Sequence, residues 1–136
     1  MFEVGTQPWL DALRAAVNAG GELTVAARGW SVRLGLGFEG GDGTPVHHVA
    51  LEIQDGQCVA AISDRGAYEE ADVRISGPCG TWGEVLDGAI EPIRSIMLHR
   101  LRVEGNKLLL VRAMPTAKVL IEAAKRIEAR FEPAAS

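Results

Sequence analysis

Between Ala71 and Asn106 the apolar pattern changes period twice, and few folds accommodate the order of elements that results. Val73 and Ile75 alternate with Asp72, Arg74 and Ser76, the period-two pattern of a half-buried strand, and Gly77 and Pro78 then stop it. Thr81 followed by Glu84 fits a capping box, Trp82, Val85 and Leu86 make one apolar face, and Gly88 offers a helix end. Pro92 suits the first turn of a second helix, where its missing N–H costs nothing, and that helix carries Ile93, Ile96 and Met97. Leu101, Val103 and the turn Glu104-Gly105-Asn106 return the chain to a strand. The unit is strand, short helix, second helix, strand.

The flanks extend this unit in both directions. Thr6 is placed to cap a helix from Gln7 to about Asn18, with Pro8 in its first turn, Trp9, Leu10, Leu13, Ala16 and Val17 inward, and Gly20-Gly21 at its end. Leu23, Val25 and Ala27 alternate with polar neighbours, as do Val32, Leu34, Leu36 and Phe38 after the Gly29 turn, so two strands with one buried face are expected. The tract Gly40 to Pro45 reads as a loop. Val49, Leu51 and Ile53 form a third strand, Asp55-Gly56 is a two-residue hairpin signal, and Cys58 to Ile62 returns as a fourth. Asp64 to Glu70 is a polar connection. Beyond Asn106, Leu108-Leu109-Leu110-Val111 has the composition of a buried strand, yet Asn106 is a good helix N-cap. Pro115 is then expected to open a final helix to about Phe131, whose apolar positions cover about 200° of arc. One sheet contact needs about half that width, so the surplus must meet a second helix, a bound lipid or another subunit.

The succession of residues from Ala71 to Asn106 resembles the sterol carrier protein type 2 family of lipid-binding domains. Leu101, Val103, Gly105 and Asn106 match the family's Leu-x-Val/Ile-x-Gly-Asn/Asp strand, and the Trp82 helix ending at Gly88 matches its short helix. The resemblance implies an α+β fold in which a single five- to six-stranded, mostly antiparallel sheet is covered on one face by helices. Residues 1–136 would form one such domain with a core over about 7–131, and 107–113 would be helical. It also implies a lipid carrier rather than an enzyme, with an apolar tunnel between sheet and helices for an acyl chain, a sterol-like molecule or another hydrophobic ligand. The positions expected to line that tunnel are Trp82, Leu86, Ile93, Met97, Leu101, Leu110, Met114 and Leu120. At about 0.8 kcal/mol per buried CH2, a chain of roughly 14 methylenes gains about 11 kcal/mol gross. Association and ordering remove on the order of half of that, leaving about 5.5 kcal/mol, an affinity in the upper micromolar range.

Composition narrows the partners. The chain has 136 residues, 47% of them hydrophobic, with 14 Lys and Arg against 18 Asp and Glu and a net charge of −4. There is no basic excess for a phosphate backbone, so nucleic acid is not an expected partner. The N-terminal MFEVGTQPWL has no signal-peptide pattern and no run reaches membrane-spanning length, which points to a cytoplasmic protein without stable membrane insertion. Cys58 and Cys79 are too few for a disulfide framework. A homodimer, or docking to a lipid-metabolising enzyme to which it presents a lipid such as a quinone precursor, is the rival use of the apolar surface.

Other motifs fall to simpler explanations. Gly35-Leu36-Gly37-Phe38-Glu39-Gly40 spells G-x-G-x-x-G, but its glycines sit inside an alternating strand and no helix follows to receive a pyrophosphate. Gly40-Gly41-Asp42-Gly43-Thr44 resembles the nucleotide signature of lipid kinases over five residues and reads as a hairpin loop. His47 and His48 are adjacent and point to opposite faces of a strand, so no metal site is expected, nor any cofactor. Glu69, Glu70 and Asp72 read as a solvated strand entrance. His99 and Glu91 are the titratable groups nearest the second helix, the ones an enzyme would have to use.

Overall fold

Asp55 and Gly56 have φ of 45° and 82°, the pair of positive values that a type I′ turn requires, and they close the expected hairpin. A Cβ on Gly56 would lie 2.5 Å from Thr24 Cα, so the turn also needs glycine for the segment packed against it. The computed structural model describes residues 2–40, 45–127 and 129–130. The elements are β1 (Phe2–Glu3), α1 (Gln7–Gly20), α2 (Glu22–Ala26), β2 (Ser31–Glu39), β3 (Pro45–Gln54) and β4 (Gln57–Ser63). They continue with α3 (Arg65–Glu69), β5 (Val73–Pro78), α4 (Cys79–Leu86), α5 (Pro92–Met97), β6 (Arg102–Gly105), α6 (Lys107–Lys125) and β7 (Ala129–Arg130). The expected loop at 41–44 and the expected helix end at Phe131 lie outside the described residues.

Five strands form a mixed, mostly antiparallel sheet in the order β4-β3-β2-β5-β6, in which only β2 and β5 run parallel. Its inner face is the one the alternation marks: Val32, Leu34, Phe38, Val49, Leu51, Ile53, Val73 and Ile75 are all buried beneath the helices. Helix α1 lies along the edge strand β4 and satisfies groups that an edge leaves open. The Gln7 amide donates to the Ala61 carbonyl (2.7 Å) and accepts from the Ser63 N–H (3.0 Å). Asn18 does the same at Cys58, at 2.9 Å in each direction.

The glycines of the G-x-G-x-x-G stretch have a packing role. A Cβ on Gly35 would sit 2.8 Å from the Tyr68 ring, and one on Gly37 would meet the Ser76 Cβ at 2.9 Å and the Tyr68 hydroxyl at 3.3 Å. Tyr68 is delivered by α3, a helix where the sequence suggested only a polar connection. The Asp64 carboxylate caps it, accepting from the Ala67 N–H at 2.8 Å. The outer face of the sheet therefore carries Tyr68 edge-on to His48, with ring centroids 4.6 Å apart and planes at 61°.

Four further expectations are corrected. Residues 22–26 are helical, because Leu23 and Ala27, four apart, are the buried pair while Val25 is 74% exposed; a strand would have put all three on one face. The Thr81–Glu84 capping box does not form: the helix already begins at Cys79 with Pro78 as N-cap, which turns Thr81 into the core. Helix α6 runs unbroken from its Asn106 cap (Oδ1 accepting from Leu108 N–H, 3.1 Å) through Pro115 to Lys125. Pro115 is exposed, so the backbone carbonyl it leaves unbonded faces water and the inner stripe continues past it. After α6 the chain forms β7, which pairs in parallel with β1, where the sequence suggested more helix.

Candidate functional site

Helix α6 crosses the inner face of the sheet and presents Leu110, Ala113, Ala117, Leu120 and Ala124 at intervals of three and four, one continuous inward stripe. Beneath it lie Leu34, Leu36 and Phe38 of β2, Leu51 of β3 and Ile75 of β5. Trp9 and Leu13 of α1 close one side, and Trp82 and Leu86 of α4 with Pro92 and Leu101 close another. Met114 and Ile121 complete the roof. Together these eighteen apolar side chains line a partly open cavity of about 70 Å3. None of them titrates.

Thr116 Oγ1 on α6 and Ser95 Oγ on α5 are buried with no hydrogen-bond partner among the described residues, whereas the Trp82 indole N–H in the lining is paired with the sheet. Trp82 Nε1 donates to the Gly37 carbonyl at 2.9 Å, so its ring lines the cavity with no unpaired N–H. Phe38 packs between two indoles, tilted against Trp82 at 5.2 Å and edge-on to Trp9 at 6.3 Å between centroids. The groups whose acidity the fold shifts lie elsewhere: burial raises Tyr68 and lowers His48 on the outer face of the sheet, and burial pushes the Cys58 thiol on β4 up to about 11.

A wider, open depression of about 440 Å3 adjoins this cavity and shares Trp9, Leu86 and Ala124 with it. Its rim includes Asp87 and Lys125. The apolar space thus abuts a more polar depression at the C-terminal ends of α4 and α6.

Of the eight positions named from the sequence, Trp82, Leu86, Leu101, Leu110, Met114 and Leu120 meet around the cavity. Ile93 and Met97 do not. Helix α5 has six residues and turns Ser95 inward, leaving Ile93 36% and Met97 72% exposed; its contribution to the cavity is Pro92. His99 and Glu91 are exposed and line no part of it. The sheet floor and the alanines of α6 were absent from the sequence-based set. The alternation of β2 already pointed Leu34, Leu36 and Phe38 inward, and the alanines fall on the helical stripe that gave Leu120.

Residues 10–118 match the SCP-2 sterol transfer family. Among solved structures, a crystal structure of sterol carrier protein 2 is 27% identical with a TM-score of 0.81, over 93% of this chain and 100% of that one. The solution structure of a conserved hypothetical protein from Thermus thermophilus, described as possibly a sterol carrier protein, is 26% identical with a TM-score of 0.79, over 100% of this chain and 96% of that one. The sterol carrier protein 2 of Aedes aegypti, in complex with the C16 fatty acid palmitate, shares the fold at 15% identity and a TM-score of 0.56, over 82% and 96%. No curated protein matches the sequence significantly. With four-fifths of its length aligned to the family and its fold shared with a crystal structure of sterol carrier protein 2, this chain belongs to the SCP-2 sterol transfer family.

Proposed function

We propose that the protein carries a lipid, an acyl chain or a sterol-like molecule, in the apolar cavity beneath α6. The observation that carries this reading is the lining: eighteen side chains with no titratable group, beside an entrance rimmed by Asp87 and Lys125. Such a site binds by burial and needs no chemistry. Membership of the family supports it, as does the shared fold of the Aedes aegypti protein with palmitate bound.

Size sets the mechanism. At about 70 Å3 the cavity is well short of what a long acyl chain needs. Ligand entry therefore parts α6 from the sheet. Among the described residues no hydrogen bond runs from the body of α6 to a strand; its cap residue Asn106 donates its backbone N–H to the Asp72 carbonyl (2.8 Å), Arg112 stands over the Trp30 ring, and the rest of the helix is held by side-chain packing. An acyl chain inserted beneath it replaces those apolar contacts with others of the same kind, so opening costs little beyond what the ligand restores.

Titration with a fluorescent fatty acid tests the proposal. Saturation at one probe per chain with micromolar affinity is expected, and absence of any uptake by folded protein would remove it.

A further inference from the structure

The two edges of the sheet are finished differently. At β4 the side chains of α1 reach the open backbone: Gln7 and Asn18 each bond it in both directions, and Arg14 donates to the Cys58 carbonyl at 3.0 Å. At the other edge β6 pairs with β5 and with nothing beyond it. Among the described residues no group from outside the sheet hydrogen-bonds to Val103 or Glu104.

Two bonds show which backbone groups this edge presents. Asn106 N–H donates to the Asp72 carbonyl (2.8 Å), whereas Leu101 N–H turns away from the sheet to the Ser95 carbonyl (3.2 Å). In an antiparallel pair, successive residues direct their N–H and C=O alternately toward the neighbouring strand and away from it. Arg102 and Glu104 therefore bond to β5 opposite Ser76 and Arg74, and Val103 directs both its N–H and its C=O to the open side.

The side chains alternate as well. Val103, opposite Ile75, is half-buried on the inner face, and Arg102 and Glu104 are exposed on the outer one. A row of lysines keeps an edge unpaired, because like charges repel a second copy laid alongside. Arg102-Val103-Glu104 does the opposite: turned about Val103, it sets each charge against one of the other sign. Arg102 bonds Glu39 and keeps further N–H donors, and Glu104 makes no ion pair among the described residues.

We propose that β6 pairs with β6 of a second copy, antiparallel about a two-fold axis at Val103, so that the two sheets become one continuous sheet. Val103 of each copy exchanges both backbone bonds with Val103 of the other, and the two side chains meet on the inner face. On either side of that pair, Arg102 of one copy faces Glu104 of the other at the positions where side chains of antiparallel strands approach most closely. The contact is short, so the dimer is weak and reversible. It uses no residue of the cavity lining and does not rest on the carrier reading.

Sedimentation equilibrium of the full chain from micromolar to millimolar concentration tests it. The wild type is expected to pass from monomer to dimer across that range. Val103→Pro removes an N–H that the monomer's own ladder does not use, and is expected to fold and to stay monomeric. Arg102→Glu and Glu104→Arg each oppose like charges and are expected to weaken self-association about tenfold. Mixed in equal amounts, these two variants restore both opposite-charge pairs and are expected to associate as the wild type does. Circular dichroism verifies that each variant is folded, and the mixing experiment decides the question without the proline. Uptake of a fluorescent fatty acid, expected to be the same in wild type and Val103→Pro, reports on the cavity separately. A wild type monomeric throughout, a dimer that Val103→Pro leaves intact, or a mixture no more associated than its components would overturn the proposal.

Discussion

Leu120 and Met97 separate the cavity from its surroundings at the level of single side chains. Leu120 is buried in the lining and Met97 projects into solvent. Leu120→Trp is therefore expected to weaken fatty-acid binding by about tenfold or more through lost space, each 1.4 kcal/mol being a factor of about ten. Met97→Trp is expected to leave affinity unchanged in the same fluorescence titration. On the outer face, Gly35→Ala places a methyl 2.8 Å from the Tyr68 ring and is expected to cost about 1–3 kcal/mol in urea unfolding, most of it recovered when Tyr68→Ala is added. Cys58 gives a pH dependence. Burial raises its thiol from 9.0 to about 11 in the folded state. The stability this contributes is full below the unfolded value and is lost as pH rises through the folded one. Unfolding midpoints should fall between about pH 9 and about pH 11, less steeply in Cys58→Ala, and a thiol reagent at neutral pH should find Cys58 inert.

At the level of elements, α6 roofs the cavity and carries a cap whose loss can be measured. Its Asn106 cap bonds the Leu108 N–H, and Asn106→Ala is expected to cost about 1 kcal/mol by chemical denaturation. Its second half was legible from apolar spacing, whereas 107–113 has the composition of a strand as well as the Asn106 cap and was read as helix through the family resemblance. The continuity of the helix was not legible, because a proline inside a helix and a proline opening one look alike until the side facing water is known. The short helix α2 was misread for a related reason. Leu23, Val25 and Ala27 alternate, but over five residues periods of 2 and 3.6 share their first and last positions, and only burial shows that Val25 is excluded. Helix α5 was placed correctly and rotated wrongly, since six residues give too few turns to fix a face. The strands were easier: β2, β3 and β5 alternate long enough to fix the period, and the Asp55-Gly56 turn sets the register.

At the scale of the molecule, the parts of the site that the sequence revealed are those lying on long periodic elements. Trp82, Leu86, Leu101, Leu110, Met114 and Leu120 could be grouped because each belongs to an apolar face, whereas the cavity they share with the sheet floor is a property of tertiary packing. The volume of that cavity has no counterpart in the sequence. A ligand that binds only the folded state stabilises it by about 2.7 kcal/mol at a hundred times its dissociation constant, so a saturating fatty acid should raise the melting temperature by several degrees.

Native mass spectrometry of the protein as purified, followed by titration with a fluorescent fatty acid, tests the central claim most directly. A lipid carrier should show one lipid per chain, displaced by the probe at micromolar concentration. An empty protein, dimeric or not, that ignores the probe while fully folded would contradict it and assign the apolar surface to assembly instead.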